Sequence, residues 1–202
     1  MNNMKLSVAV LAGGESRRFG EDKTLAKING RSITSLLAER MKALSSDIMV
    51  VSKDVNKFTD VHGANIIRDV YKAQCPLVGI ITALTYAKHD RVFVVSADTP
   101  FVKIELVKFL AEKEKDIVLP VTGGKINTLC GIYSANILNI LKKYFEQRIY
   151  RILDILEEID ADYVSEADCL TYDPNLISFI NINTKKDFEY AKKYIKEVGG
   201  TL

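Results

Sequence analysis

Apolar residues in this chain gather into short β-branched runs, each followed by a polar loop and then by a stretch whose apolar positions recur at helical spacing. The runs predict strands over 5–12, 47–52, 64–68, 91–96, 116–120, 128–133 and 177–181. Most are too apolar to alternate cleanly, which is how strands covered on both faces read. Helices are predicted over 32–44, 77–88, 103–115, 135–145, 151–158 and 185–198. In the first of these, Ile33, Leu36, Leu37, Met41 and Leu44 form one apolar face. In the last, Thr184 followed by Asp187 resembles a capping box.

Strands alternating with helices predict an α/β protein, a three-layer α/β/α sandwich with a mainly parallel sheet. The rhythm breaks at Gly123 and Gly124, where a hairpin would introduce one antiparallel strand. No internal repeat, linker or composition shift divides the chain, so residues 1–202 are expected to form a single domain.

Composition narrows the class. With 48% hydrophobic and 27% charged residues the chain has the makeup of a globular protein and not of a disordered one. Its uncharged runs, such as 6–14, are shorter than a membrane span, and residues 1–6 do not resemble a secretory leader. Three scattered cysteines, Cys75, Cys130 and Cys169, lack zinc or redox spacing and fit reduced thiols, so a cytoplasmic location is expected. A net charge of +2 argues against a nucleic-acid groove. That surplus is concentrated: between Glu15 and Arg31, five basic residues (Arg17, Arg18, Lys23, Lys27 and Arg31) face three acidic ones.

Candidate chemistry sits in the same stretch. Leu11 and Ala12 end the first predicted strand and Gly13 and Gly14 follow it, at the edge where open α/β sheets bind ligands. The adjacent glycines let backbone N–H groups converge on an anion, and Arg17, Arg18 and Lys23 follow as cationic arms suited to a polyphosphate. The segment is not a Walker loop, because five residues separate Gly14 from Gly20 and Glu21 follows; nor does it carry the spaced glycines of the dinucleotide fingerprint. Asp98 takes the equivalent place after strand 91–96, where one carboxylate can hold a magnesium ion that phosphates also coordinate.

These residues resemble the molybdenum cofactor guanylyltransferase (MobA) family. LAGGESRRFGEDK (11–23) follows that family's opening pattern L-A-G-G-x-S-x-R-M-G-x-D-K, with Phe19 in place of Met. IIRD ending at Asp69, PLVG (76–79), DTPF (98–101) and FININT (179–184) follow in the family's order. The resemblance implies a Rossmann-like nucleotidyltransferase fold, with a nucleotide half over about residues 1–100 and an acceptor half over about 101–202. It implies transfer of GMP from GTP to the terminal phosphate of molybdenum-bound molybdopterin, with release of pyrophosphate and Mg2+ as cofactor.

By the same resemblance Leu11, Ala12 and Gly13 wrap the nucleotide, with Gly14 a further nucleotide-binding candidate from the glycine pair, Lys23 pairs with the phosphates and Asp69 belongs to the guanine site. Asp98 holds the metal, and Gly79 lets ligand approach the backbone. Ser52 stands where the family has an asparagine. Arg18 or Arg17 is expected at the phosphates as a further catalytic cation. Arg148, Asn181 and Asn183 would serve the acceptor. Related cytidylyltransferases read L-A-A-G where this chain has Gly13, which points to guanine. Expected partners are the two substrates and, transiently, cofactor-insertion proteins and molybdoenzyme chaperones, with neither nucleic acid nor membrane. The competing readings are another nucleotidyltransferase of this fold, acting with CTP or on a sugar phosphate, and a nucleotide-binding accessory protein without turnover.

Overall fold

The computed structural model describes residues 5–13 and 22–197. Its first strand, β1 (Ser7–Leu11), sends Val8 and Val10 into one core and Ala9 into another, since helices cover both faces of the sheet. A short hairpin follows, β2 (Lys27–Ile28) with β3 (Arg31–Ser32), and then helix α1 (Ile33–Met41). Strand β4 (Ile48–Ser52) pairs in parallel with β1, and β5 (Asn65–Arg68) pairs in parallel with β4. After helix α2 (Pro76–Tyr86) the chain returns to the other edge of β1 as β6 (Arg91–Ser96). The boundary between β1 and β6 is therefore the point at which strand order reverses, the place where such sheets open a binding crevice.

Beyond helix α3 (Ile104–Ala111), β7 (Ile117–Thr122) turns through Gly123 and Gly124, both with positive φ, into β8 (Lys125–Ile126). Strand β9 (Cys130–Ser134) then inserts antiparallel between β6 and β7. Helix α4 (Leu138–Glu146), strand β10 (Ala161–Val164), helix α5 (Glu166–Tyr172) and helix α6 (Lys185–Glu197) complete the chain. Among the described residues the sheet runs β10-β7-β9-β6-β1-β4-β5, with β8 attached to β7. Along that path β9 alone is reversed, as the glycine pair predicts.

Apolar residues of α1, α3 and α5 fill one face with Val8, Val10, Val50 and Phe93; those of α2 and α4 fill the other with Ala9, Met49, Val94 and Tyr133. The α/β/α sandwich is thus the observed architecture. A third cluster joins Ala191 and Ile195 of α6 to Ile28, Ile33, Phe101 and Ile182, and so anchors the carboxy-terminal segment beside α1. Two helix starts are capped by side chains, the second of them as the sequence predicts. The Ser32 hydroxyl accepts from the Ser35 N–H at 3.1 Å. Thr184 and Asp187 form the reciprocal box, at 3.2 and 2.8 Å.

Two predicted elements differ. Residues 151–158 form two 3-10 turns, Ile152–Asp154 and Leu156–Glu158, because Ile152, Ile155, Leu156 and Ile159 can face the core equally well in tight i→i+3 turns. Residues 177–181 hold a 3-10 turn, Ile177–Phe179, entered through left-handed Leu176 (φ 50°) and pinned where the Asp173 carboxylate accepts from the Ser178 N–H at 2.7 Å. Short apolar runs are buried alike in either conformation. β10 and α5 lie where the sequence pattern predicts no element.

Candidate active site

The carboxyl ends of β6, β1, β4 and β5 open into a cleft of 340 Å³. Leu11 lines it from β1 and Gly13 from just past it, Val51 from β4 and Lys53 from just past it, Asp69 from just past β5, and Ser96 and Asp98 from the end of β6 and the turn after it, while Pro76 and Gly79 of α2 close one wall. Val51 and Lys53, two residues apart, face the same side of the strand, so the cleft lies on the α2 side of the sheet edge. A side chain at Gly79 would meet Leu11, since an added Cβ would lie 3.0 Å from its Cδ1. Glycine there brings α2 down onto β1.

Asp98 sits in a tight turn after β6. The Thr99 N–H and hydroxyl both donate to the Ser96 carbonyl, at 3.1 and 2.8 Å, and the Ala97 N–H donates to the Leu11 carbonyl at 2.9 Å. The carboxy-terminal segment reaches the same turn, with the Ile182 N–H donating to the Asp98 carbonyl at 2.8 Å. Between this turn and that segment lies a second pocket of 250 Å³, lined by Ser96, Asp98, Thr99, Asn127, Thr128, Ser178 and Asn181 among others. Ser96, Asp98 and Leu129 line both spaces. The half-buried Asp98 carboxylate therefore belongs to a wall shared by two adjoining cavities.

Charge is distributed unevenly around the cleft. Burial pushes the Asp69 carboxyl above the usual range, against the opposing pull of the Lys53 ammonium. Lys53 Nζ also donates to Gln74 Oε1 at 3.4 Å. On the other side, Lys57 Nζ lies 2.6 Å from Asp22 Oδ2 and donates to the Ala12 carbonyl at 3.4 Å. Burial opposes ionisation of Asp22, but Lys57 and Thr24 together hold its carboxyl below the usual range.

Of the residues singled out from sequence, Leu11, Gly13, Asp69, Gly79 and Asp98 line the cleft, and Asn181 lines the second pocket. Ala12 and Ser52 lie beneath the floor, the Ser52 hydroxyl donating to the Ala12 carbonyl at 3.3 Å, so β4 presents Lys53 to the cleft instead. Arg148 and Asn183 are exposed and line neither space; the Asn183 N–H donates to Asp187 at 2.9 Å. Gly14, Arg17, Arg18 and the Lys23 side chain lie outside the described residues. Sequence reading missed Lys53, Lys57, Gln74, Asn127 and Thr128. For Lys53 a signal existed: on a strand whose Val51 faces α2, alternation turns Ser52 away and brings residue 53 back.

Solved structures resemble this fold. A nucleotidyl transferase from Methanothermobacter thermautotrophicus covers 98% of this chain and 100% of its own with a TM-score of 0.70 at 16% identity, which is a likeness of fold alone. A molybdopterin-guanine dinucleotide biosynthesis protein A from Archaeoglobus fulgidus matches more fully, with a TM-score of 0.83 and 28% identity over 95% of this chain and 99% of that one. Fold and cleft together thus define a nucleotidyltransferase. The MobA-like NTP transferase domain family matches residues 8–161, and the chain belongs to that family. A probable molybdenum cofactor guanylyltransferase from Aquifex aeolicus strain VF5 is 34% identical over 180 residues, covering 89% of this chain and 87% of the relative.

Proposed function

We propose that this protein is a molybdenum cofactor guanylyltransferase, which transfers GMP from GTP to the terminal phosphate of molybdenum-bearing molybdopterin and releases pyrophosphate. The observation that carries this reading is the shared wall at Asp98: a nucleotide in the larger cleft and an acceptor in the smaller pocket would meet there. The A. fulgidus and A. aeolicus relatives, by their descriptions, support guanine and molybdopterin as the substrate classes.

An oxygen of the acceptor phosphate attacks the α-phosphorus of GTP as the bond to the pyrophosphate oxygen breaks. A phosphate monoester is mostly dianionic near pH 7, so the site needs no general base. Its work is to align the two substrates and offset their charge. Leu11, Ala12, Gly13 and Gly14 bind the nucleotide, Gly79 lets α2 approach it and Ser52 braces the end of β1 through Ala12. Lys23 and Arg18 meet the phosphates, Asp69 takes the base, and Asn181, on the smaller pocket, serves the acceptor, with Arg148 and Asn183 assigned to it from the family resemblance although they line neither pocket.

Magnesium fits this donor set. One half-buried carboxylate in a wall also lined by Ser96 and Thr99 is the sparse, hard-oxygen arrangement that magnesium takes when phosphates complete its shell. Among the described residues no cluster of three metal-ligating side chains offers a fuller cage. Bound at Asp98, the ion would neutralise phosphate charge between the two substrates. The same reading places the reaction in the cytoplasm and passes its product to cofactor-insertion proteins or molybdoenzyme chaperones; no helix among the described residues is long and apolar enough to cross a membrane.

The test is reconstitution with GTP, molybdenum-bearing molybdopterin and magnesium. Molybdopterin guanine dinucleotide and stoichiometric pyrophosphate are the expected products. A preference for CTP, or no turnover with this acceptor while a sugar phosphate is consumed, would overturn the reading.

A further inference from the structure

The end of the cleft farthest from Asp98 carries two opposite charges on neighbouring strands. Ser52 of β4 pairs with Arg68 of β5, so Lys53 and Asp69 are the next residues along, side by side just past the ladder, and both line the cleft. The Asp69 N–H still donates to the Ser52 carbonyl, at 3.1 Å, which holds the two residues in step. Across the sheet, β4 and β5 lie two and three strands from β6, which carries Asp98. At about 4.8 Å per strand this separates the pair from Asp98 by about 10–14 Å, the reach of a nucleoside from its α-phosphate to the far edge of its base.

We propose that Lys53 is a specificity-determining residue that donates from Nζ to the O6 carbonyl of guanine, while the Asp69 carboxylate accepts from the adjacent N1–H and 2-amino groups. This deepens the GTP reading above and rests on it. Guanine presents an acceptor beside two donors along one edge, and a cation beside a carboxylate is its complement. Adenine presents a 6-amino donor where guanine has O6, so it would set a donor against the ammonium and leave Asp69 facing an acceptor nitrogen. Gln74, whose Oε1 accepts from Lys53, keeps the ammonium at the cleft wall in the absence of base. Ser52 cannot take this part, because its hydroxyl is turned beneath the floor to Ala12.

The experiment compares substrates and variants together. Dissociation constants are measured without acceptor for GTP, CTP, ATP and 6-thioguanosine triphosphate, which keeps the N1–H and the 2-amino group but carries sulfur, a poor acceptor, in place of O6. The wild-type protein is expected to bind GTP about tenfold more tightly than the 6-thio analogue, the range for one hydrogen bond to a charged group. In Lys53→Met, and again in Lys53→Ala, GTP should weaken by that factor while the analogue holds its affinity, so the gap closes. A gap of wild-type size in both variants would overturn the assignment of Lys53 and leave the GTP reading standing. Wild-type protein that binds CTP in preference to GTP would overturn both. A variant that merely loosened the fold would weaken all four ligands together and preserve the gap, which counts against the proposal.

Discussion

Lys57 Nζ stands 2.6 Å from Asp22 Oδ2 and 3.4 Å from the Ala12 carbonyl oxygen, so one ammonium ties together the two residues that flank the glycine-rich segment. The lysine is 17% exposed and the aspartate 35%, which makes this pair better shielded than a typical surface bridge. Lys57→Met is expected to lower Tm by a few degrees and to raise KM for GTP. A double-mutant cycle with Asp22→Asn should give a coupling of about 1 kcal/mol. Because the folded carboxyl is held below its ordinary value, that coupling is present above about pH 4 and is lost as pH falls through the folded value. Thermal melts of the four proteins at pH 7 and pH 3 measure it; coupling that grows towards pH 3 would contradict the assignment.

Asp69 presents the opposite sign. Its carboxyl is raised by burial, so at neutral pH the folded state carries a charge that the unfolded chain holds more easily. Asp69→Asn should therefore raise Tm slightly, on the order of 2 °C, while weakening GTP binding, a trade of stability against function. The folded state takes up its proton first as pH falls through the raised value, so the gain seen at pH 7 should disappear by about pH 4. Melting curves paired with GTP titrations check both halves.

Gly79 separates packing from ligand contact. An alanine there gains about 1 kcal/mol of helix propensity, but its Cβ would sit 3.0 and 3.2 Å from the two methyls of Leu11. Those are the ends of a side chain that lines the cleft, so the space Leu11 has to move into is the cleft itself. Gly79→Ala should keep Tm near the wild-type value and raise KM for GTP about threefold to tenfold, the equivalent of ~1 kcal/mol. Unchanged KM would show that Leu11 yields in another direction.

Asp98→Asn keeps the size of the side chain and leaves the backbone carbonyl that accepts from Ile182. It removes the anionic oxygen from the wall between the two pockets. Turnover at saturating GTP should fall on the order of a hundredfold, with Tm within about 2 °C of wild type. Pyrophosphate release across a magnesium titration measures it, and near-normal turnover at saturating magnesium would remove Asp98 from the metal site.

What could be read from the sequence follows from how strongly each segment is constrained. The strands β1, β4 and β6 are buried on both faces, so their apolar runs admit few alternatives. Thr184 and Asp187 announce their helix because a capping box is a local arrangement. β10 is a short edge strand with partly exposed residues, and α5 buries Cys169 as its one fully covered side chain, so neither leaves a periodic trace. The site divides in the same way. Asp98 and Gly13 stand at strand ends, where chain order implies a crevice. Lys53 and Lys57 depend on which way a strand end points and on a long-range contact, and residue type alone specifies neither.

Arg148 offers a test of the acceptor side that a stability measurement can be separated from. It ends α4 in a left-handed conformation (φ 62°), with its own N–H donating to the Phe145 carbonyl at 3.0 Å and the next N–H, of Ile149, to Tyr144 at 3.0 Å. This is the six-to-one capping pattern in which glycine is the usual third partner. An arginine there costs about 1 kcal/mol of backbone strain that glycine avoids, partly offset by glycine's greater freedom in the unfolded chain. Arg148→Gly should therefore leave Tm unchanged or raise it. If its guanidinium serves the acceptor, KM for molybdenum-bearing molybdopterin should rise several-fold in this variant while KM for GTP stays the same. Arg148→Lys, which keeps the charge and the backbone strain, should recover part of that loss with no gain in Tm. Equal KM values for the acceptor in wild type and Arg148→Gly would confine Arg148 to the helix end.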